Sequence, residues 1–295
     1  MTKHWVGVVA LAVLATACGG GNQDAAGTAS APAVVPPAAQ ESQDRLASII
    51  AGDWRSPENR ARDVFRHPLE TLEFFGIRPD MTVVEIWPGA GWYTEILAPY
   101  LQAQGRYIAA HWDPDAAREG TREAVQAFKD KLAARPDLYG GAEVTVLAPP
   151  GNTAMAEPES VDMVLTFRNI HNWMMAGQEE AMFAAMYRVL KPGGVLGVVE
   201  HRAPADQPAD AKGRSGYVSE AHAVALAEQA GFLLEAASEI NANPLDTKDH
   251  PAGVWTLPPT FAKGDENRER YAAIGESDRF TLRFRKPAAG VDGGS

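Results

Sequence analysis

The stretch that decides the fold is residues 82–94, which read Thr-Val-Val-Glu-Ile-Trp-Pro-Gly-Ala-Gly-Trp-Tyr-Thr. Its first five residues form a short apolar, β-branched run that predicts a buried strand. A glycine-containing turn follows at once, and residues 92–104 then carry apolar side chains at helical spacing. Glycines at such a turn let a ligand approach the backbone, and the start of the helix offers free amide groups. The stretch therefore predicts a strand, a ligand-binding turn and a helix.

The same alternation continues along the chain. Further strands are predicted at residues 106–111, 142–147, 161–167 and 195–200, and helices are predicted at residues 41–51, 57–76, 114–134, 178–190 and 219–230. Continuous apolar strands that alternate with helices are typical of a parallel sheet covered on both faces. Two later strands, at residues 232–240 and 280–285, have no ordinary crossover helix between them. The sequence thus predicts an α/β, Rossmann-like fold with seven mostly parallel strands and an antiparallel last strand.

The two ends of the chain differ from this predicted domain. Residues 1–17 contain a Lys, an apolar stretch and small residues directly before Cys18, which is the layout of a bacterial secretory signal peptide. Two processing alternatives stay open: lipidation of Cys18, which we favour because it is the only cysteine, and plain cleavage after Ala17. Residues 18–40 and 288–295 have few large apolar side chains, which predicts a disordered tether and tail. The folded domain is predicted at residues 41–287 of an exported, periplasmic protein, anchored to the membrane if Cys18 is lipidated.

Composition excludes several classes of function. The 295 residues carry 27 Lys plus Arg against 38 Asp plus Glu, a net charge of -11, and this argues against a nucleic-acid partner. A single cysteine excludes an intramolecular disulfide and effectively excludes cysteine-based metal clusters. The seven histidines show no metal-binding spacing, so no metal site is predicted. The sequence does not indicate the oligomeric state.

Two more features accompany the glycine turn. Asp113 ends the second strand, where a carboxylate can accept hydrogen bonds from ribose hydroxyls. Residues 188–194 read Arg-Val-Leu-Lys-Pro-Gly-Gly directly before the fifth strand. Together, these features resemble the class I S-adenosylmethionine-dependent methyltransferases, and most of all an exported bacterial group of predicted methyltransferases. The resemblance covers residues 70–287 and implies S-adenosylmethionine as the cofactor.

The resemblance also implies a set of cofactor-binding residues. Glu85 would be the acid of the first strand, Gly89 and Gly91 the second and third glycines, and Asp113 the ribose ligand. Trp87 stands where the family has its first glycine, and its indole either lines the cofactor cleft or fills it.

Polar and aromatic side chains follow the fourth strand, where ligands lie in this fold. Arg168, Asn169 and Trp173 are therefore candidate substrate-facing residues. His171 is the candidate catalytic base, because an imidazole can take a proton from an oxygen or nitrogen nucleophile. The alternative is a structural His171 that caps the next helix.

Two functions from different classes remain open. The first is methyl transfer from S-adenosylmethionine to a small-molecule, lipid or envelope acceptor. The second is a non-catalytic exported ligand-binding protein on a methyltransferase fold. A nicotinamide-dependent oxidoreductase is disfavoured, because Thr94 stands where its glycine motif needs a third glycine.

Overall fold

The computed structural model describes residues 37–116, 119–205, 210 and 212–288. The predicted signal peptide, Cys18, most of the predicted tether and nearly all of the predicted tail lie outside the described residues. The first helix, α1, spans Pro37–Ile50 and begins four residues before the predicted start of the folded domain.

One seven-stranded sheet forms the centre of the fold. Its strands are β1 Thr82–Ile86, β2 Arg106–His111, β3 Ala142–Val146, β4 Val161–Phe167, β5 Leu190–His201, β6 Leu233–Ser238 and β7 Arg279–Arg285. The strand order is β3-β2-β1-β4-β5-β7-β6. The first five strands in this order run parallel, and β7 is antiparallel to both β5 and β6. This arrangement confirms the predicted fold class.

The order of the strands reverses beside β1. The chain goes from β1 to β2 and β3 on one side, and then returns to β4 on the other side. Ligands of parallel α/β sheets lie beyond the carboxyl ends of the strands at such a switch point. The fold therefore predicts a ligand-binding site at the turns that follow β1, β2 and β4.

The helices after α1 are α2 Pro57–Arg60, α3 Asp63–Arg66, α4 Pro68–Phe75, α5 Thr94–Leu101, α6 Thr121–Ala134, α7 Pro136–Tyr139, α8 Ile170–Ala176, α9 Glu179–Val189, α10 Glu220–Gln229 and α11 Arg268–Ile274. The single helix predicted at residues 57–76 is wrong, because three short helices stand there. His67 has a positive φ of 39°, and Pro68 disfavours the helical conformation of the residue before it. Among the described residues, no helix has the length and apolar character needed to cross a bilayer.

Two apolar clusters cover the two faces of the sheet. Alternate residues of β1 point to opposite faces, so Val84 and Ile86 join one cluster and Val83 joins the other. The first cluster includes side chains of α8, α9 and α10, and the second includes side chains of α1, α4, α5 and α6. Glu85 shares the face of Val83, and its burial among apolar side chains explains the chemistry described below.

Candidate functional site

The turn after β1 needs its two glycines for different reasons. Gly89 and Gly91 both have left-handed backbones, with φ values of 60° and 83°. A β-carbon at Gly91 would lie 3.2 Å from side-chain atoms of Phe128 and Thr94, so this glycine allows close packing inside the domain. A β-carbon at Gly89 would contact nothing within 4 Å. Gly89 is therefore the position where a ligand can approach the backbone.

The His111 ring contacts the backbone of this turn. Its Nδ1 accepts a hydrogen bond from the Trp112 amide at 2.8 Å, so the proton of the ring is on Nε2, which lies 3.3 Å from the Gly89 carbonyl oxygen. Burial lowers the pKa of His111 to about 4, which keeps the imidazole neutral. His111 is therefore a packed residue that holds the backbone of the turn.

Glu85 lies at the base of the turn and is buried. Its Oε2 accepts hydrogen bonds from the Tyr107 hydroxyl at 2.6 Å and from Thr94 Oγ1 at 3.1 Å. Burial raises the pKa of Glu85 to about 7, although both hydrogen bonds oppose this rise. The carboxyl group is therefore engaged inside the domain while it also borders a cavity above the turn.

Two cavities meet at the turn. Cavity A, of about 510 Å³, is bordered by Trp87, Trp112, Asp113, Leu147, Pro149 and Asn172, among others. Cavity B, of about 270 Å³, is bordered by Arg66, Glu85, Trp87, Gly89, Trp112 and Asn169, among others. Trp87 and Trp112 border both cavities. The two cavities therefore share an aromatic wall beside the turn.

Trp87 is the residue between the two cavities. Its backbone is left-handed, with φ 47°, and its amide donates a hydrogen bond to the Ala110 carbonyl oxygen at 2.8 Å. The indole Nε1 donates to the Leu147 carbonyl oxygen at 2.9 Å. The ring makes edge contacts with Trp112 and Trp173, with centroids 6.2 and 6.1 Å away. These contacts fix the indole as a wall shared by cavities A and B.

Asp113 borders cavity A, at the end of β2. Its Oδ1 accepts a hydrogen bond from the Asp115 amide at 2.9 Å. Within the described part of the chain, Oδ2 accepts no hydrogen bond, so it is available to a ligand. The structure thus brings Asp113, Trp87 and Gly89 around one pair of cavities, as the sequence predicts.

The residues after β4 do not all face a cavity. Arg168 borders cavity B, and so does Asn169, whose Nδ2 donates to the Ile86 carbonyl oxygen at 2.9 Å. Trp173 is completely buried and packs between Trp87 and Phe183. The prediction that Trp173 faces the substrate is therefore corrected: its side chain belongs to the core, because α8 turns that side toward the sheet.

His171 is also buried and belongs to a cluster at the end of β5. Glu200 accepts hydrogen bonds from the Ile170 amide at 2.6 Å, from the His201 amide at 2.8 Å and from His171 Nδ1 at 3.2 Å. Since Nδ1 donates, Nε2 of His171 is the ring nitrogen that can accept. His171 borders neither cavity A nor cavity B, whereas the neighbouring His201 borders a third, smaller cavity. His201 is not among the site residues that the sequence predicts.

The side chains of His171, Glu200 and His201 could also hold a metal ion, since their ligand atoms lie within 4.8 Å of one another. This grouping was not predicted, because His171 and Glu200 are 29 residues apart in the sequence. However, Glu200 already accepts three hydrogen bonds. Burial and then nearby positive groups, including three arginines, hold the pKa of His201 well below its usual range. The cluster fits an oriented pair of histidines better than a cation site.

Residues from the segment before the sheet complete the site. Arg62 and Arg66 border cavity B, and the guanidinium of Arg66 lies 4.7 Å above the Trp92 ring. These two arginines are not among the site residues that the sequence predicts. Their only signal was a charged stretch, which most often indicates a solvated helix face.

The comparisons with known proteins agree with this geometry. Residues 84–198 match the family model described as Methyltransferase domain. No curated protein matches this chain at a significant level. A SAM-dependent methyltransferase from Aquifex aeolicus is 18% identical with a TM-score of 0.51, and the match covers 82% of this chain and 98% of that one. The [4+2]-cyclase SpnF is 15% identical with a TM-score of 0.54, covering 85% and 96%.

Another similar structure has its cofactor bound. Phosphoethanolamine N-methyltransferase 2 from Haemonchus contortus, in complex with S-adenosyl-L-methionine, is 15% identical with a TM-score of 0.51, covering 82% of this chain and 57% of that one. At these identities the solved structures establish the fold. Residues 84–198 are thus similar to the Methyltransferase domain model, and the chain shares the fold of these solved structures.

Proposed function

We propose that this protein is an exported methyltransferase that acts on a small-molecule, lipid or envelope acceptor. The observation that carries the proposal is the pair of cavities that meet at Trp87, above the Gly89 turn and beside Asp113. The pair lies at the switch point of the sheet, where this fold binds its ligands.

The residues around the cavities fit S-adenosylmethionine. Asp113 Oδ2 is available to ribose hydroxyls in cavity A, and Gly89 leaves room for the amino-acid part in cavity B. The indoles of Trp87 and Trp112 lie where the two parts join, and aromatic faces attract a sulfonium cation. When bound, the cofactor supplies an electrophilic methyl group. The chain itself then has to hold the acceptor in line with that methyl group and exclude water.

The histidines after β4 and β5 support a role in proton removal. His201 borders a third cavity, and its ring centroid lies 5.4 Å from that of the predicted base His171. The lowered pKa of His201 keeps its imidazole neutral, so the ring can accept a hydrogen bond from an oxygen or nitrogen nucleophile, and the same shift makes it a weaker base than a free histidine. In this proposal, Glu200 orients His171 from within the domain, and His201 alone faces the acceptor side of the site.

A second candidate function is ligand binding without catalysis. The hydrogen bond from Trp87 Nε1 to the Leu147 carbonyl oxygen favours it, because it fixes an indole where the resembled family has a glycine. An indole held in this way can reduce the room for a cofactor. Export also favours this candidate, since nothing in the sequence explains how the cofactor is supplied outside the cytoplasm.

Calorimetric titration of the purified protein with S-adenosylmethionine and with S-adenosylhomocysteine tests the proposal. We expect both to bind, and Asp113→Asn to weaken binding by roughly 10- to 150-fold, the usual effect of losing a charged hydrogen-bond acceptor. Asp115→Asn is the matched control, because Asp115 is exposed and paired with Arg122. Absence of binding by the wild type, or equal binding by both variants, would contradict the cofactor assignment.

Transfer of a labelled methyl group from S-adenosylmethionine to an envelope extract separates the two candidate functions. If the protein is a methyltransferase, the wild type should give a labelled product and His201→Gln should not. Cofactor binding with no labelled product from envelope lipids, proteins or small molecules favours the non-catalytic candidate.

A further inference from the structure

A third cavity lies beside the site and is bordered by positive charge. Cavity C, of about 180 Å³, is bordered by Arg62, Arg66, Arg168, His201, Glu276 and Arg279, among others. These residues come from α3, from the ends of β4 and β5, and from the segment that leads into β7. Four guanidinium groups therefore surround one small cavity that contains one carboxylate.

Glu276 neutralises only part of this charge. It pairs with Arg62 Nε at 2.5 Å, with Arg66 Nε at 3.1 Å and with Arg279 Nη2. The three arginines hold the pKa of Glu276 well below its usual range despite its burial, so the carboxyl group stays ionised. With four arginines and one carboxylate, the group keeps an excess of three positive charges.

Two nitrogen atoms of the group have no hydrogen-bond partner among the described residues. Arg66 and Arg279 are only 3% and 2% exposed. Within the described residues, Arg66 Nη1 and Arg279 Nε make no hydrogen bond. Buried polar atoms are almost always hydrogen-bonded, and a buried charge without a partner is costly. Orphaned donors in two buried guanidiniums therefore indicate a ligand that accepts hydrogen bonds.

Arg168 adds a fourth cation to the group. Its side chain has no hydrogen bond or ion pair within the described part of the chain. Its backbone is left-handed, with φ 61°, and is held by a hydrogen bond from its amide to the Val199 carbonyl oxygen at 2.7 Å. Strained residues of this kind cluster at binding sites. Burial and then the charge of Arg279 lower the pKa of Arg168 to about 10.

We infer that cavity C is the subsite for an oxyanion of the methyl acceptor, a carboxylate or a phosphate group. Planar guanidiniums bind both groups through paired hydrogen bonds. The assignment to the acceptor rests on the proposed function. Three polar residues that border cavity C do not border cavity B, namely His201, Ser277 and Arg279. This arrangement leaves the Gly89 side of cavity B to the cofactor.

Stabilisation by inorganic phosphate tests the subsite. Thermal unfolding of the full protein is measured against phosphate concentration at constant ionic strength, which yields an apparent dissociation constant. We expect phosphate to stabilise the wild type and Arg168→Gln to raise this constant by roughly 10- to 100-fold. The dissociation constant of Arg168→Lys should lie between those of the wild type and Arg168→Gln, because lysine keeps the positive charge but lacks the planar guanidinium group. Arg168 has no ion pair to lose, so Arg168→Gln should keep its fold by circular dichroism.

Arg106→Gln is the matched control, because Arg106 is exposed and pairs with Glu143 at the other end of β2. It should respond to phosphate as the wild type does. Equal stabilisation of wild type and Arg168→Gln would overturn the inference. Succinate in place of phosphate distinguishes a carboxylate from a phosphate as the preferred group.

Calorimetry with S-adenosylhomocysteine at saturating phosphate separates this subsite from the cofactor site. We expect the affinity for S-adenosylhomocysteine to stay within about twofold of its value without phosphate. Competition between the two would show that the arginines bind the cofactor carboxylate and would overturn the inference. If S-adenosylhomocysteine does not bind at all while phosphate still requires Arg168, the proposed function fails and the oxyanion subsite stands.

Discussion

At the scale of single residues, Trp87 decides how the cleft is used. If its indole lines the cleft, Trp87→Ala should weaken binding of cationic S-adenosylmethionine more than binding of neutral-sulfur S-adenosylhomocysteine. The expected difference is about 0.5–2 kcal/mol, the usual magnitude of a cation–π contact. Calorimetry with both ligands measures it.

Trp87→Gly provides the contrast. If the indole instead fills the cofactor site, the wild type should not bind either ligand and Trp87→Gly should gain binding. If Trp87→Ala weakens the binding of both ligands equally, the indole contributes through packing and not through a cation–π contact.

Glu85 should make stability depend on pH. Burial raises its pKa in the folded protein to about 7 from a usual value of 4.5, so the folded state binds more protons than the unfolded state between these values. The stabilisation is complete below pH 4.5 and is lost as the pH rises through 7. Glu85→Gln has no such loss, so its stability relative to wild type should increase by about 3 kcal/mol from pH 4.5 to 7.

Urea unfolding of wild type and Glu85→Gln at the two pH values measures this difference. The stability of Glu85→Gln must be compared with that of the wild type at each pH, because His111 makes the stability of both proteins change with pH in the opposite direction. Its folded-state pKa of about 4 makes stability fall as the pH drops from 6.5. A constant difference between Glu85→Gln and wild type at both pH values would show that Glu85 is ionised when folded.

At the scale of elements, the end of β5 holds the start of α8. Asn169 precedes this helix but makes no side-chain cap, and Glu200 Oε2 accepts the hydrogen bond of the Ile170 amide instead. Glu200 therefore joins two elements and orients His171 at the same time. This dual contact explains why a carboxylate can be completely buried at the end of a central strand.

Glu200→Gln should destabilise the protein by about 1–3 kcal/mol in urea unfolding. The reason is that its amide nitrogen must face a donor, either the Ile170 amide or His171 Nδ1, where the carboxylate accepted both. Glu143→Gln on β3 is the control, since Glu143 is half-exposed and should change stability little. Wild-type stability in Glu200→Gln would contradict the described hydrogen bonds.

At the scale of the whole molecule, we propose that the N-terminal segment determines where the protein acts. We expect mature protein to begin at lipidated Cys18 and to partition with membranes, because the only cysteine follows small residues after an apolar stretch. Cys18→Ser should release the protein from the membrane fraction. A soluble wild-type protein whose N-terminal Cys18 has a free amine would indicate ordinary secretion.

The sequence by itself determined the sheet and the turn that borders the cofactor cavities. β1, β2 and β4 have the bounds that their apolar runs predict, because strands buried on both faces leave a continuous local signal. The positions of Gly89 and Asp113 follow from that signal, since a residue directly after a parallel strand lies at the ligand-binding edge. At these positions, the local sequence pattern was sufficient to predict where the residues lie in the fold.

Only the tertiary structure decided the rest of the site. Trp173 and His171 are on α8, and the rotation of that helix, which packing sets, buries both side chains. The arginines around Glu276 lie up to 214 residues from it in the chain. No local pattern brings such residues together, because their proximity is created by strand order and by the segment that returns to β7. Sequence thus specified the elements, and long-range packing specified which charges share a cavity.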